Sequence, residues 1–115
     1  MSESFSTLSE AMKAIVKFRN ERNWEEHHVP RHLVNALSIE ASELQEEFLW
    51  KDPADIADYL RSSEGEKRVR DEIADVMIYA LLFCESTEIS PLDAIRDKLD
   101  KNAEKYPAEV DTDKV

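Results

Sequence analysis

Two pairs of acidic residues are the side chains of this sequence best suited to catalysis. Glu40 and Glu43 stand three positions apart in "IEASELQEEF", and Glu72 and Asp75 stand three positions apart in "DEIADVMIY". On a helix, side chains at this spacing lie next to each other on one face. A helical wheel places Glu40 at the border of an apolar face, so the first pair lies beside the core. That face consists of Leu33, Leu37, Leu44 and Phe48.

The position of these acids next to apolar faces indicates a metal site. A carboxylate that is buried without compensation destabilises a protein by several kcal/mol. Four carboxylates that face one another must therefore take up protons or bind cations. With no Cys or His among the four, their oxygen ligands favour Mg²⁺ or Mn²⁺ over zinc. Because Mg²⁺ on carboxylates keeps open positions for water and phosphate oxygens, the pattern predicts phosphate chemistry.

The alternative interpretation of these acids is a solvated helix face. In that case Glu43, Glu46 and Glu47 only face water, and Glu40 pairs with an Arg or a Lys. For a single ExxE pattern we would prefer this alternative, because Glu is common on helices. Two such pairs, about thirty residues apart and both at core borders, favour the metal site instead.

The composition favours a small all-α protein. The chain has 115 residues, of which 36% are charged and only 1 is Gly. Such a composition suits long helices and does not suit a turn-rich β-sandwich. A chain of this length buries one modest core. We expect a single domain over residues 1–115, with its core at about residues 5–107 and a frayed tail at residues 108–115.

The charge and the single cysteine limit the partners and the compartment. The formal net charge is −11, so the chain repels nucleic-acid backbones and anionic membranes, and neither is expected as a partner. The longest apolar run, "VMIYALLFC", is too short to span a bilayer. Cys84 alone cannot form an intrachain disulfide, and no apolar signal segment opens the sequence. These features predict a cytoplasmic location.

Caps and prolines predict where the helices begin and end. Asp52 before Pro53 and Ser90 before Pro91 are typical of helix starts. The segment "SSEGEK" at residues 62–67 is predicted to be a loop. The predicted helices run from about Thr7 to Arg22, from Pro30 to about Trp50, over residues 53–62, from about Glu66 to Ser86, and from Ser90 or Pro91 to about Tyr106.

The fourth predicted helix indicates a homo-oligomer. From Ile73 to Cys84 every residue except Asp75 is apolar, aromatic or Ala. A helix that is apolar on all sides is buried on all sides. So short a chain has few other helices with which to surround it, so we expect a second copy to cover the remaining face. The alternative is a helix enclosed within the monomer.

The last helix and the two tryptophans suggest a nucleotide ligand. Asn102 interrupts an apolar stripe, and Lys98 lies one turn before it. A partly buried amide needs hydrogen-bond partners, although Lys and Glu near a helix end are also common without any ligand. Trp24 comes just after the first predicted helix, and Trp50 closes the second. Aromatic faces stack nucleobases, but core packing explains tryptophans equally well.

The motifs "FRNERNW", "LSIEASELQEEFLW", "DEIADVMIY" and "KLDKNAEKYP", in this order, resemble the MazG-like all-α nucleoside triphosphate pyrophosphohydrolases. The similarity extends over about residues 15–107 and is greatest to the dCTP pyrophosphatase branch. It implies a helical bundle of four main helices plus a short connecting helix, assembled as a homodimer or tetramer with sites at the chain interface. It also implies Mg²⁺-dependent hydrolysis of a nucleoside triphosphate to the monophosphate and pyrophosphate, as in the removal of unwanted nucleotides from the pool.

The resemblance also implies individual roles. The metal ligands would be Glu40, Glu43, Glu72 and Asp75. The residues around the base and sugar would be Trp24, Trp50 and Tyr79. The residues on the phosphates would be Lys98, Asn102 and Tyr106. Some members of the branch carry a histidine nine residues before the first Trp, where this chain has Ile15; the nearby His27 and His28 are predicted to be exposed loop residues.

The mechanism that we expect is attack of a metal-activated water on the α-phosphorus. Glu40 and Glu43 are the candidate general bases, and the residues alone do not rank one above the other. Lys98, Asn102 and Tyr106 would hold the departing pyrophosphate. Two other functions fit the same residues: a metal phosphohydrolase that releases orthophosphate, and a non-catalytic acidic helical module for oligomerisation or regulation.

Overall fold

The computed structural model describes residues 4–109, and over this range the chain is all-α, as predicted, with five helices and no strand. Residues 110–115, which make up most of the predicted tail, lie outside the described residues. Between residues 4 and 109 no helix is long and apolar enough to cross a membrane. The helices are α1 (Leu8–Glu21), α2 (Pro30–Glu46), α3 (Pro53–Arg61), α4 (Ser63–Ser86) and α5 (Pro91–Lys105).

Side-chain caps explain why three of these helices begin where the sequence predicts. The side chain of Thr7 accepts a hydrogen bond from the backbone N–H of Glu10, and α1 follows it. Asp52 caps α3 and Ser90 caps α5 in the same way, each followed directly by a proline. A capping oxygen satisfies an N–H that has no partner within the helix, and proline has no such N–H to satisfy. The predicted starts of α1, α3 and α5 are therefore confirmed.

The predicted end of the second helix is wrong by four residues. The helix ends at Glu46, and turns continue to Trp50. The N–H of Phe48 donates to the carbonyl of Gln45 at 3.0 Å, a tighter pattern than that of an α-helix. The φ angle of Trp50 is 64°, which lies in the left-handed region and cannot continue a helix. The backbone therefore leaves the helix axis just before this tryptophan.

The predicted loop "SSEGEK" is also wrong, because α3 and α4 meet at a single residue. Ser62 ends α3, and its hydroxyl accepts a hydrogen bond from the N–H of Gly65 in the first turn of α4. Glu64 and Glu66 add negative charge where the helix dipole favours it. A Cβ added to Gly65 would lie 2.0 Å from the carbonyl oxygen of Tyr59. The glycine therefore permits a close corner, and not a flexible connection.

Helix α4 is the centre of the packed part of the chain. Helix α2 packs on it most extensively, and α3 and α1 pack on it as well. Leu33 of α2 and Leu82 of α4 are the most buried apolar side chains, with exposed fractions of 1% and 4%. The guanidinium of Arg19 in α1 donates to a carboxylate oxygen of Glu85 in α4 at 2.6 Å. This ion pair attaches the end of α1 to α4.

Helix α5 lies apart from this packed group. It packs against none of the other helices to a comparable extent within the described residues. The radius of gyration is 18.2 Å, whereas a compact domain of this length has one of roughly 13 Å. Leu99 on α5 and Met77 on α4 are 62% and 53% exposed. The chain thus leaves apolar side chains of two helices uncovered, and the predicted homo-oligomer stays a prediction that these faces favour.

Candidate active site

The packing of α2 on α4 brings three of the four predicted metal ligands together. One carboxylate oxygen from each of Glu40, Glu43 and Glu72 lies within 4.8 Å of the other two. Asp75 is not part of this group of three. Its negative charge nevertheless raises the pKa of both Glu40 and Glu72, so it lies at the edge of the cluster. We call these four residues the acidic cluster.

Burial and mutual repulsion raise the pKa values in the acidic cluster. Burial is the largest cause for Glu40, followed by a hydrogen bond with Glu43 and by the neighbouring negative charges, and together they raise its pKa to about 7. Burial and the charge of Glu43 likewise raise the pKa of Glu72. Both effects disfavour the charged carboxylate. The chain alone therefore lacks the positive charge that this site needs.

A divalent cation fits this need. Oε2 of Glu40 and Oε2 of Glu72 are buried and have no hydrogen-bond partner within the described residues. Buried polar atoms without partners are rare in folded proteins and call for an explanation. A hard cation bound to these oxygens would satisfy both atoms and remove the repulsion. The donor set consists only of oxygens, which matches Mg²⁺ or Mn²⁺.

A row of aromatic rings extends from the acidic cluster towards α1. Tyr79 lies one turn after Asp75 on α4, and burial and the charges of Glu40 and Asp75 raise the pKa of its hydroxyl. The ring of Tyr79 lies 6.4 Å from that of His28, measured between centroids, and His28 lies 6.2 Å from Trp24. Trp24 in turn contacts Phe18 edge-on at 5.8 Å. The fold thus places two predicted nucleoside contacts, Trp24 and Tyr79, in one row with the acids.

His28 is a member of this row that the sequence prediction missed. We expected an exposed loop residue, but His28 is half-buried, and its Nδ1 is buried without a hydrogen-bond partner between residues 4 and 109. The prediction for the neighbouring His27, which is exposed, is confirmed. Local sequence could not separate the two histidines, because the ring that covers His28 comes from Tyr79, about fifty residues away.

Trp50 lies outside the aromatic row. Its side chain is 99% exposed, and it contacts no other aromatic ring in the described part of the chain. Its positive φ places the ring on a turn beyond the end of α2. A tryptophan that is fully exposed and has a left-handed backbone conformation is typical of a residue whose partner is a ligand or another chain.

The predicted phosphate contacts on α5 are likewise not assembled with the acidic cluster in one chain. Over residues 4–109, the side chains of Lys98, Asn102 and Tyr106 make no hydrogen bond or ion pair with a carboxylate of the cluster. Lys98 and Asn102 line one shallow groove on α5, and Tyr106 is exposed. The structure therefore does not join these residues to the acidic cluster within the described range, and their role there stays a prediction.

Glu47 and Tyr59 form a further contact near the acidic cluster that the sequence did not single out. The hydroxyl of Tyr59 on α3 donates to the carboxylate of Glu47. The amine of Lys51 donates to the carbonyl of Glu47 at 2.7 Å and lies 4.6 Å from the centroid of the Tyr59 ring. The charge of Glu47 also raises the pKa of Glu72. The sequence contained one indication that Glu47 lies near the acidic cluster: it stands one helical turn after Glu43.

Comparisons with known proteins agree on one family. The model of the MazG-like family matches residues 36–114. The chain is 32% identical to dCTP pyrophosphatase 1 of Rattus norvegicus over 101 residues, which are 88% of this chain and 59% of the rat protein. It is also 32% identical to dCTP pyrophosphatase 1 of Homo sapiens, over 89% of this chain and 60% of the human protein. The chain thus spans less than two thirds of the length of these relatives.

A solved structure extends the agreement to the fold. A pyrophosphatase from Archaeoglobus fulgidus is similar to this chain with a TM-score of 0.81 and 35% sequence identity. The similarity covers 94% of this chain and 99% of the archaeal one. Since nearly the whole of both chains is included, the likeness extends to α5 and not only to the packed helices that carry the acidic cluster.

Proposed function

The chain belongs to the MazG-like family, and from that premise we propose that it is a metal-dependent nucleoside triphosphate pyrophosphohydrolase. It would convert a nucleoside or deoxynucleoside triphosphate to the monophosphate and pyrophosphate. The observation that carries the proposal is the acidic cluster, in which oxygens of Glu40, Glu43 and Glu72 lie within 4.8 Å of one another. The names of the relatives, dCTP pyrophosphatase and pyrophosphatase, support the same reaction.

The proposed metal is Mg²⁺, with Mn²⁺ as a possible substitute, and Asp75 would complete the ligand set of Glu40, Glu43 and Glu72. The unpartnered oxygens of Glu40 and Glu72 support this assignment. When bound, the cation supplies charge neutralisation for the triphosphate and lowers the pKa of a coordinated water. The carboxylates in turn fix the position of the reacting phosphate relative to α2 and α4.

Glu43 is the better candidate to orient the attacking water. Its side chain is exposed, whereas those of Glu40 and Glu72 are half-buried. An exposed carboxylate at the mouth of the site can reach both the solvent and the phosphate. Glu40, whose carboxylate lies beside that of Glu43 in the acidic cluster, would hold the cation next to it. General-base assistance of this kind contributes about 10² to 10⁴ in rate.

The nucleoside would lie along the aromatic row. Trp24 offers a face for stacking the base, and Tyr79 lies between the base and the acidic cluster, where the sugar would be. Trp50 would close over the base from a second side. The substrate that we propose is dCTP or a modified deoxynucleotide, whose hydrolysis removes it from the nucleotide pool. We also propose that this takes place in the cytoplasm.

A second copy of the chain would complete the site. Lys98, Asn102 and Tyr106 of α5 would hold the pyrophosphate as it leaves, and in one chain they make no contact with the acidic cluster in the described range. The exposed apolar side chains of α4 and α5 supply a surface for such an interface. We therefore propose a homodimer or a dimer of dimers with sites shared between chains.

The test is to identify the products. The purified protein is incubated with canonical and modified NTPs and dNTPs, with Mg²⁺, with Mn²⁺ and with EDTA, and the products are separated by chromatography. We expect monophosphate and pyrophosphate in equal amounts, and no reaction in EDTA. Release of orthophosphate would establish a different phosphohydrolase. The absence of any turnover with either metal would contradict the enzyme and leave a non-catalytic acidic helical module.

A further inference from the structure

The turn that follows α2 holds a tryptophan in an unfavourable backbone conformation. The φ angle of Trp50 is 64°, a left-handed value that is rare for a bulky residue. Such a conformation persists only where the surroundings fix it, and it often marks a functional site. The indole does not fix it, because the side chain is 99% exposed. The contacts that hold this turn must therefore come from residues next to Trp50.

Lys51 makes two such contacts. Its amine donates to the carbonyl oxygen of Glu47 at 2.7 Å and lies 4.6 Å from the centroid of the Tyr59 ring. The first contact closes the turn over residues 47–51, and the second holds the turn against α3. The backbone of the turn adds little, since the nitrogen of Lys51 lies 3.4 Å from the carbonyl oxygen of Phe48, which is longer than an ordinary hydrogen bond. The lysine side chain is therefore the main hold on this turn.

The start of this turn adjoins the acidic cluster. The charge of Glu47 raises the pKa of Glu72, so the carboxylate of Glu47 lies close to the proposed metal site. Trp50 follows three residues later in the same turn. We propose that Lys51 is a positioning residue, which fixes the turn so that the Trp50 indole has a set place relative to the acidic cluster. This inference rests on the proposed function, because it assumes that the base of a bound nucleotide lies against that indole.

The contacts of Lys51 distinguish positioning from a direct contact with the triphosphate. A lysine that binds phosphate presents its amine to the ligand as a positive charge. The amine of Lys51 is instead engaged by a carbonyl and an aromatic face of its own chain, and the residue is half-buried. A cation at the end of a helix also stabilises the last carbonyls of that helix. A substitution of Lys51 should therefore act through Trp50, and weaken nucleotide binding without changing the chemical step.

The experiment is a double-mutant cycle on nucleotide affinity with Lys51→Met and Trp50→Ala. Isothermal titration calorimetry with Mg²⁺ gives the Kd of the four α,β-imido dNTPs, which resist hydrolysis between the α- and β-phosphates, and the cycle uses the one that binds most tightly. We expect Trp50→Ala to raise its Kd about tenfold and Lys51→Met about fivefold. If Lys51 acts through the indole, the double variant should equal Trp50→Ala alone, whereas independent effects would multiply to about fiftyfold.

Three further variants test the contacts of the lysine. Lys51→Arg keeps a cation that can donate to the carbonyl and lie over the ring, so it should restore most of the affinity. Tyr59→Phe keeps the ring beside the amine and should stay within about threefold of the wild type. Lys67→Met, the same change at an exposed lysine of α4, is the matched control and should leave the Kd unchanged.

Fluorescence measures the hold on the indole directly. The chain has two tryptophans, so in a Trp24→Phe background the tryptophan emission comes from Trp50. Time-resolved anisotropy should show a larger amplitude of nanosecond local motion in Lys51→Met than in Lys67→Met. Equal anisotropy decays in the two variants would show that Lys51 does not hold the turn, and would overturn the inference without reference to any nucleotide.

Turnover and tripolyphosphate binding separate this inference from the proposed function. A raised KM with nearly constant kcat in Lys51→Met supports positioning, and tripolyphosphate, which has no base, should bind this variant and the wild type equally. Multiplied effects in the cycle, or a loss of affinity for tripolyphosphate, would mean that Lys51 contacts the substrate itself; the inference is then wrong, and the function stands if nucleotides are still hydrolysed. If the wild-type protein binds an analogue but hydrolyses no nucleotide, the function fails and the cycle still decides the role of Lys51. If it binds none of the four analogues, both fail.

Discussion

The acidic cluster and helix α5 represent opposite kinds of site region. The cluster is formed within one chain by the packing of α2 on α4, and three of its carboxylates already lie within 4.8 Å of one another. Helix α5 carries Lys98, Asn102 and Tyr106 on a helix that packs closely on no other in the described chain. One region is assembled within the chain and carries mutually repelling charges, and the other lies apart from the packed helices in the described range.

The difference indicates which part of the proposed site each chain can provide alone. Carboxylates that repel one another need a rigid scaffold, and the α2–α4 interface, with Leu33 almost completely buried, provides one. Helix α5 carries equal numbers of acidic and basic residues, and in its proposed role of holding the leaving group it would need no such scaffold until the substrate is bound. Metal binding should therefore be a property of the single chain, whereas turnover should depend on association.

Loss of one cluster carboxylate should have the largest effect. We expect Glu40→Gln to lower kcat/KM about a thousandfold, because it removes a ligand that holds the cation where charge develops. The same substitution should raise the thermal midpoint without metal, because it removes a raised-pKa carboxylate from a group of like charges. Steady-state assays and thermal unfolding with and without Mg²⁺ measure both effects.

Glu46→Gln is the matched control for that prediction. Glu46 lies on the same helix, is exposed and is not part of the acidic cluster. Its substitution removes the same charge from the chain and should leave activity and the response to Mg²⁺ intact. Equal effects of the two substitutions would show that only net charge matters, and the acids of α2 would then form a solvated face.

The second largest effect should appear when two defective chains are mixed. Lys98→Ala and Glu40→Gln should each be nearly inactive alone. If α5 acts on the cluster of a second chain, a hybrid dimer has one site in which both residues are native. We expect the mixture to regain up to about a quarter of the wild-type activity, because random pairing gives hybrids in half of the dimers.

This test requires that subunits exchange between dimers. The activity of the mixture is therefore measured before and after mild dissociation and reassociation. Light scattering gives the mass of each sample. A mixture of two different cluster variants, Glu40→Gln and Glu72→Gln, is the control and should stay inactive, because each site needs both carboxylates from one chain. Full activity of Lys98→Ala alone, or no recovery in exchanged hybrids, would contradict a site shared through α5.

These two regions also differ in how well the sequence predicted them. The spacing of Glu40 with Glu43 and of Glu72 with Asp75 is a local signal, because residues three apart on a helix must be neighbours. The caps Thr7, Asp52 and Ser90 are local signals too. The cluster and most helix starts therefore followed from short stretches of sequence, while the roles of the α5 residues came only from family resemblance and stay predictions.

The features that the sequence missed depend on contacts between distant residues. "SSEGEK" contains the residue types of a loop, but Gly65 is there because Tyr59 passes too close for a Cβ. Trp50 has an apolar side chain that fits a helix, yet its φ of 64° ends the turn after α2. His28 differs from His27 in its contacts with the rings of Trp24 and Tyr79, and Tyr79 comes from the distant α4. Neither periodicity nor capping rules contain such information.

The raised pKa of Glu40, about 7, predicts how pH should affect the metal-free protein. An unfolded Glu loses its proton near pH 4.5, so between this value and about pH 7 the folded chain binds more protons than the unfolded chain. The stabilisation by the protonated form is complete below pH 4.5 and is lost as the pH rises through about 7. From about pH 5 to about pH 8, the thermal midpoint of the wild-type protein should fall by several degrees more than that of Glu40→Gln.

Addition of Mg²⁺ at the higher pH sharpens this prediction, because the cation binds the charged carboxylates and should restore the lost stability. At the lower pH the proton competes for the same oxygens, so the same Mg²⁺ concentration should stabilise less. The α5 residues serve as the internal comparison, since Lys98→Ala should follow the wild-type pH profile. A profile of Glu40→Gln that matches the wild type would mean that Glu40 is not the group that titrates.

The smallest expected effect comes from removing one hydroxyl in each region. Tyr59→Phe removes the hydrogen bond to Glu47 that joins α3 to the end of α2, and we expect a loss of about 1 kcal/mol in the free energy of unfolding. Tyr106→Phe on α5 removes a hydroxyl from an exposed side chain that has no such bond between residues 4 and 109, and should leave the stability unchanged. Denaturant unfolding measures both.

The same pair of variants should show the reverse order in turnover. Tyr59 supports the scaffold of a cluster that is already held by the α2–α4 interface, so Tyr59→Phe should leave kcat/KM within about threefold of the wild type. Tyr106 is proposed to contact the pyrophosphate, so Tyr106→Phe should lower turnover about tenfold, the loss expected for one hydrogen bond to a charged group. A variant that lost stability and activity together in either region would show that scaffold and substrate contact are not divided between the two regions.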